Sequence, residues 1–377
     1  MKIAIMESII TDGGHEVDFD RILTEELTGL GHQPYFYVPE QFTFKFDYQV
    51  PVRYLPGASR SYQGVRGLRK LAVSAVKEIN RQRWFRATYT AANQGEFDAV
   101  IVPTSTYRYL RALKFNPLKN SPVPVIFILH GINPEEAPSF YREAKQLTGN
   151  ANIKMVVLTL DKEGQDADFS NIYYRKPPVF TPRDLDYQPA LKKDGVLRLG
   201  FFGQYRREKN LEGFLKTFLT CKFTQAVELA VQGATVHPDD ASDFERLIQK
   251  YQDHKNISFL HKGLIGREWQ EAIAGVDALI MPYDAERYRY HWSAMLFTAI
   301  GYFKPVVVSS VINPEILAQY DLGVAFASGT EGGLKTALET FVNTYSSKVD
   351  ICENALITAN ADFSPKKFVS ELVGLIR

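Results

Sequence analysis

Leu199-Gly-Phe-Phe-Gly-Gln-Tyr-Arg-Arg-Glu-Lys-Asn210 opens as an apolar strand, stops at Gly203, turns through Arg206, Arg207, Glu208 and Lys209, and enters a helical pattern. A glycine at a strand end lets the backbone turn tightly. Cations beside the N-terminus of the following helix offer a diphosphate both charge and free N–H donors. Gly203, Arg206, Arg207 and Lys209 are therefore candidate diphosphate ligands. Further on, Ala278-Leu-Ile-Met281 reads as another strand. After it come the polar aromatic loop Tyr283-Asp-Ala-Glu-Arg-Tyr-Arg-Tyr-His-Trp-Ser-Ala294, a helix from about Ser293, and a strand opened by Lys304-Pro305. Ser293 and Ala294 are small residues at a helix start, where a phosphate or ribose can approach unpaired amides.

Around these blocks, strands and helices alternate along almost the whole chain, the pattern of parallel sheets covered by helices on both faces. The first half shows strand-like runs at Lys2–Met6, Tyr35–Val38, Ala99–Val102, Val125–Leu129 and Met155–Leu158. Its clearest helix is Asp18–Leu30, where Phe19, Ile22, Leu23, Leu27 and Leu30 share a stripe that Gly31 ends. The second half shows strands at Leu197–Phe202, Ala226–Val231, Ile257–Leu260, Ala278–Met281, Val306–Val308 and Val324–Phe326. Helices are expected there at Leu211–Leu219, Ala241–Tyr251, Gly266–Ala274, Ser293–Ile300 and Glu331–Tyr345. The proline-rich stretch from Lys176 to Pro189 forbids a continuous helix or a central strand and reads as a linker. The expected division is 1–178, a linker at 179–195, 196–353, and a tail at 354–377. That tail reads as an irregular stretch and then a helix beginning near Ser364-Pro365.

With the two blocks in this order, the chain resembles the GT-B glycosyltransferases, and glycosyltransferase family 4 in particular. The family pattern is Gly-Arg-x-x-x-Glu-Lys-Gly, then a Glu-containing loop, then a helix and Gly-x-Pro-Val. The resemblance implies an α/β GT-B fold, with two Rossmann-like domains whose parallel sheets face a central cleft. It implies a C-terminal helix that crosses back to the first domain. Glu208-Lys209 matches the family's Glu-Lys, so Lys209 would contact the donor diphosphate. The family's arginine falls on Gln204, leaving Arg206 or Arg207 to reach in from the same turn. Glu286 matches the glutamate that touches the donor sugar. The family's second glutamate falls on Ala294 or Leu296, neither of them acidic. Glu315 in Asn313-Pro-Glu-Ile316 resembles the acidic residue after the next strand, and equally reads as a helix-start glutamate favoured by the dipole.

In the first half, Ile10-Thr-Asp-Gly-Gly-His15 follows the first strand. Gly13, Gly14 and His15 are candidates for close approach to an acceptor or diphosphate, without the Gly-x-Gly-x-x-Gly spacing of a nicotinamide site. His130 ends a strand, where ligands of parallel sheets gather. It would touch the donor sugar by resemblance, or serve as a hydrogen-bonded structural residue. Asp166-Ala-Asp168 matches a metal-holding Asp-x-Asp in letters, but it does not follow a strand directly and reads as a polar turn. Asp239-Asp240 after Pro238 reads as a helix start. No His, Cys and carboxylate cluster has ligand spacing, so no metal and no cofactor are expected.

Residues 64–92 carry Arg66, Arg69, Lys70, Lys77, Arg81, Arg83 and Arg86 against Glu78, on a helical pattern with an apolar face. Such a segment reads as an anionic membrane-surface contact or as a solvated helix. The net charge of +1 gives no overall reason to expect nucleic acid. A chain of 377 residues has the length for two cores, and two cysteines argue against a disulfide framework. The Met-Lys-Ile-Ala-Ile-Met-Glu start does not read as a signal peptide, and no apolar run approaches the ~20 residues of a membrane span. The expectation is a cytoplasmic protein with peripheral contact at the inner membrane face. By resemblance it is a metal-independent, retaining enzyme of polysaccharide biosynthesis, moving a sugar from a nucleotide-diphosphate donor to a glycan or glycolipid hydroxyl. The alternatives are a GT-B sugar-nucleotide epimerase and a non-catalytic partner of a transferase.

Overall fold

The runs of branched apolar residues become strands because parallel strands covered on both faces leave no polar side. The computed structural model describes residues 1–8, 15–59, 67–183, 185–187, 191, 195–283, 285–330 and 332–376. Two units emerge among the described residues: one holds 1–8, Glu16 to Pro177 and the residues from Pro365 on; the other holds His15 and those from Pro178 to Ser364.

The first unit contains β1 (Lys2–Ile5), α1 (Glu16–Gly29), β2 (Gln33–Glu40), β3 (Val52–Ala58), α2 (Leu68–Asn93), β4 (Ala99–Ser105), α3 (Tyr107–Leu113), β5 (Val125–Leu129), α4 (Ala137–Gln146), β6 (Ile153–Leu158), β7 (Gly164–Gln165) and β8 (Ile172–Arg175). Its sheet runs β3-β2-β1-β4-β5-β6-β8-β7, parallel except where β7 pairs with β8. β3, β7 and β8 add strands that the sequence reading did not include. β5 is buried at every position and β4 at all but one, as central strands require. The stripe of α1 is buried as expected, but Asp20 and Arg21 are buried with it.

The second unit contains β9 (Leu197–Phe201), α5 (Leu211–Phe218), β10 (Val227–Gly233), α6 (Pro238–Tyr251), β11 (Ile257–His261), α7 (Arg267–Ala274), β12 (Ala278–Met281), α8 (Ala294–Gly301), β13 (Val306–Ser309), α9 (Pro314–Gln319), β14 (Gly323–Phe326) and α10 (Gly333–Asp362). α11 (Pro365–Gly374) belongs to the first unit. The sheet order β11-β10-β9-β12-β13-β14 is wholly parallel among its paired strands. The six strands expected in this half all form.

Two expectations change. The stretch 354–362 is not irregular, because α10 runs on to Asp362 with Val349, Cys352, Leu356 and Ala359 buried along one stripe. The start of the expected linker is built into the second unit. There Val179 and Phe180 are buried, the Val179 amide donates to the Phe363 carbonyl at 2.9 Å, and Phe180 stacks on Trp292 at 5.4 Å. Gly301 at the end of α8 makes this packing possible: a Cβ there would lie 1.9 Å from the Phe180 carbonyl oxygen. Among the described residues no helix is long and apolar enough to cross a membrane.

Candidate functional site

In the second unit, β9 ends at Phe201 and the chain turns at Gly203, whose φ of +104° strains any side chain but glycine's. Buried Gln232 on β10 anchors that turn: its Oε1 accepts from the Gly203 amide at 2.9 Å, while its Nε2 donates to the Lys262 carbonyl beyond β11. The Tyr205 amide adds a 2.7 Å bond to the Ala234 carbonyl. The ends of β9, β10 and β11 are thereby tied into one platform. After a short 3-10 turn at Arg207–Lys209, Asn210 takes the left-handed conformation and α5 begins.

Lys209 is only 8% exposed. Its ammonium stands close enough to Gly203 that a Cβ there would meet it at 3.5 Å, and a Cβ at the same place would meet Met295 Cε of α8 at 3.6 Å. The Gly203 turn, the Lys209 ammonium and the first turn of α8 therefore converge. The ammonium also lies 5.2 Å from the centroid of the buried Tyr283 ring. Burial, then Arg206, then Arg287 push its pKa down to about 7, with Glu208 opposing them. A buried cation without a full counter-charge is held in readiness for an anion.

Around it, Gln204 stands where the resembling family has arginine, and its Oε1 accepts from Arg206 Nη2 at 2.9 Å. The cation is thus displaced by two residues and tethered by the glutamine. Arg207, in contrast, turns to Asp243 of α6 at 3.5 Å. Of the two arginines the sequence offered, only Arg206 acts on Lys209. A third cation, Arg287, was not foreseen; its guanidinium pairs with Glu208 and rests 4.9 Å from the Tyr288 ring centroid.

The start of α8 is capped by Ser293, whose Oγ accepts from the Leu296 amide at 3.4 Å. The Ser293 amide itself donates to Asn313 Oδ1 at 2.7 Å. The amides of Ala294 and Met295 have no hydrogen-bond partner among the described residues, as the first turn of a helix leaves its amides. Asn313 is buried and left-handed (φ 43°), and its Nδ2 donates to the Tyr288 and His291 carbonyls at 3.0 and 3.2 Å. It pins the whole loop between β12 and α8. The sequence reading chose its neighbour Glu315, which is exposed in the first turn of α9. The signal for Asn313 was an asparagine before a proline, a residue pair that favours turn initiation. Glu286 opens a 3-10 turn and is exposed.

His15 sets its ring edge against Trp292 at 5.5 Å, and burial with neighbouring His291 pushes its imidazole down to about 4. It is neutral near pH 7 and offers an anion no charge. Gly13 and Gly14 lie outside the described residues. In the first unit, His130 Nε2 donates to the Pro103 carbonyl at 2.8 Å and its ring packs 4.7 Å from Phe19. Asp166 is occupied by a local turn, accepting from the Tyr174 hydroxyl and from the Asp168 amide at 2.9 Å. No cluster of three metal-ligating side chains occurs among the described residues.

No protein-family model matches the sequence, and no curated protein is similar to it at sequence level. Solved structures are similar over the whole chain. HepE of Anabaena, in complex with UDP and glucose, superposes with a TM-score of 0.66 at 15% identity, covering 99% of this chain and 98% of that one. The catalytic domain of starch synthase IV from Arabidopsis thaliana, bound to ADP and acarbose, gives 0.65 at 11% identity over 100% and 98%. WaaG, a glycosyltransferase of lipopolysaccharide biosynthesis, gives 0.60 at 15% identity over 100% and 99%. The fold is GT-B. Within the GT-B fold these neighbours share two parallel α/β sheets with the present chain, at identities low enough that the site has to be argued from its own residues.

Proposed function

We propose that the chain is a glycosyltransferase whose second unit binds a nucleotide-diphosphate sugar. One observation carries the reading: the buried Lys209 ammonium and the Met295 side chain from the first turn of α8 both close on the tight Gly203 turn. Cations at the start of a helix suit a diphosphate, and the UDP and ADP bound by the GT-B neighbours are diphosphates of this kind.

The chemistry is cleavage of the bond between the anomeric carbon and the diphosphate. Negative charge builds on the leaving phosphate as that bond breaks, and preorganised donors stabilise it more than they stabilise the ground state. Lys209, Arg206 and the amides of Ala294 and Met295 take that role, so no metal is needed for it. Glu286 orients the sugar, and the outcome is retaining by resemblance to family 4. The acceptor is a glycan or glycolipid hydroxyl, placed by the first unit.

A peripheral contact with anionic membrane is part of the proposal. α2 exposes Leu71, Val76 and Ile79 together with Arg69, Arg83 and Arg86. An apolar patch rimmed by cations suits a bilayer with anionic headgroups, on the cytoplasmic side. Arg81 does not belong to that surface, because it pairs with Glu78 and lies 4.6 Å from the Tyr109 ring centroid.

The test is a thermal-shift screen against UDP-, GDP-, ADP- and dTDP-sugars in EDTA, followed by turnover with the donor selected. A stabilising donor whose hydrolysis or transfer survives EDTA supports the reading. No shift with any of them, or activity lost to EDTA and restored by Mn²⁺, overturns the mechanism as stated. Lys209→Ala should weaken the selected nucleotide by roughly tenfold or more, the worth of one charge-assisted contact.

A further inference from the structure

We propose that Arg287 is the third cation of the diphosphate site, and that Glu208 holds it with Arg206 in a latch that the diphosphate opens. The inference rests on the donor-binding reading and goes beyond it, since the resembling motif gives neither residue such a part.

Glu208 precedes Lys209 in the turn after β9, and Arg287 lies in the loop between β12 and α8. Arg287 Nη2 and Arg206 Nη1 both address the same oxygen, Glu208 Oε1, at 2.5 and 3.7 Å. One carboxylate oxygen held between two guanidinium groups occupies the position that a phosphate oxygen would take. Both arginines also lower the pKa of the ammonium of Lys209, the residue next to Glu208. Among the described residues, Glu208 is the one carboxylate paired with Arg206 and Arg287.

Exposure separates the partners. The Glu208, Arg206 and Arg287 side chains are 42%, 41% and 37% exposed, whereas Lys209 is 8% exposed. Exposed pairs contribute little to stability, so Glu208 can leave at small cost. Arg287 keeps its place without Glu208, because its Nη2 donates to the Tyr288 hydroxyl at 3.0 Å and its guanidinium rests on that ring. A diphosphate brings more charge than one carboxylate and also reaches Lys209 and the α8 amides, so it displaces Glu208. The empty site is thereby kept from gathering weaker monovalent anions.

The experiment is calorimetric titration of the full chain with inorganic pyrophosphate and with UDP, ADP and GDP, with thermal midpoints as a check on folding. Glu208→Gln should tighten pyrophosphate and the preferred nucleotide by roughly fivefold, the worth of one exposed ion pair. Arg287→Gln should weaken both by roughly tenfold, and Arg287→Lys should restore part of the loss. In Glu208→Gln/Arg287→Gln the gain should shrink, because the two residues act through one contact. If Lys209→Ala loses binding while Arg287→Gln does not, or if Glu208→Gln fails to tighten it, the latch is overturned and the donor reading stands. If the unmodified protein binds none of the four probes, the donor reading falls and takes the latch with it.

Discussion

The backbone amide of Ser293 donates to the side-chain oxygen of Asn313 across 2.7 Å, so the start of α8 is set by a residue beyond the next strand. Asn313→Ala removes that acceptor and two donors to loop carbonyls, and leaves an alanine at a φ of 43°. The expected loss is about 2–4 kcal/mol of stability together with weaker nucleotide binding. Asn313→Gly relieves the backbone strain and should recover about 1 kcal/mol without restoring the affinity. Urea denaturation of both variants measures this. An Asn313→Ala midpoint equal to the parent's would remove Asn313 from its anchoring role.

Lys209 makes donor affinity depend on pH. In the empty site its pKa is held down at about 7, and an adjacent diphosphate raises it. Above about 7 the free protein has lost the proton that the complex keeps, so binding takes up a proton and weakens as pH rises, by up to about tenfold per unit. Below that pH the proton is already present and the dependence flattens. Titrations in buffers of different ionisation enthalpy should show uptake approaching one proton at pH 8, and Lys209→Met should abolish it.

Asp20 predicts a pH effect on stability in the first unit. Burial, then Glu7, then Glu16 raise its carboxyl well above the ordinary 3.8. The folded chain thus keeps a proton that the unfolded chain releases above about pH 4, and stability falls as pH climbs from there towards the folded-state value. Asp20→Asn is neutral at every pH and should raise the thermal midpoint at pH 8 while changing little at pH 4. An equal shift at both pH values would show that ionisation of Asp20 is not the cause.

For the membrane contact, the unmodified chain should bind vesicles rich in anionic phospholipid at low salt and release them at high salt. Each cation near such a surface contributes about 1 kcal/mol. Arg83→Gln with Arg86→Gln should weaken the binding roughly tenfold or more, and Leu71→Ser with Ile79→Ser should weaken it without changing its salt dependence. Arg81→Gln should instead lower stability, since that side chain is folded onto Tyr109. Vesicles ignored at low salt would leave α2 an ordinary solvated helix.

The six strands of the second unit were legible because strands such as Val306–Ser309 are buried at every position and carry no polar break. β3 escaped because it is mostly exposed and contains Pro56 and Gly57, residues that count against a strand. The extension of α10 escaped although its signal was present, in the helical spacing of Val349, Cys352, Leu356 and Ala359. At the site, Gly203, Lys209 and Ser293 could be read because strand, turn and helix start are local features. Gln232, Asn313 and Arg287 could not, because each acquires its part through a partner distant in the chain. The buried charge at Lys209 likewise belongs to packing and not to the Arg-Arg-Glu-Lys run itself.

Gly301 closes the end of α8 opposite to its free amides, and the Phe180 carbonyl fills the space that a side chain would need. The helix is short, eight residues or roughly 12 Å, so its two ends are held at a nearly fixed separation. A side chain at position 301 would have to push either the Phe180 carbonyl or α8 aside. A methyl group added there would be felt at the other end, where displacement of donors by about 1 Å is enough to cost a reaction roughly a hundredfold. The position of the α8 N-terminus is thus fixed from behind, by a residue without a side chain.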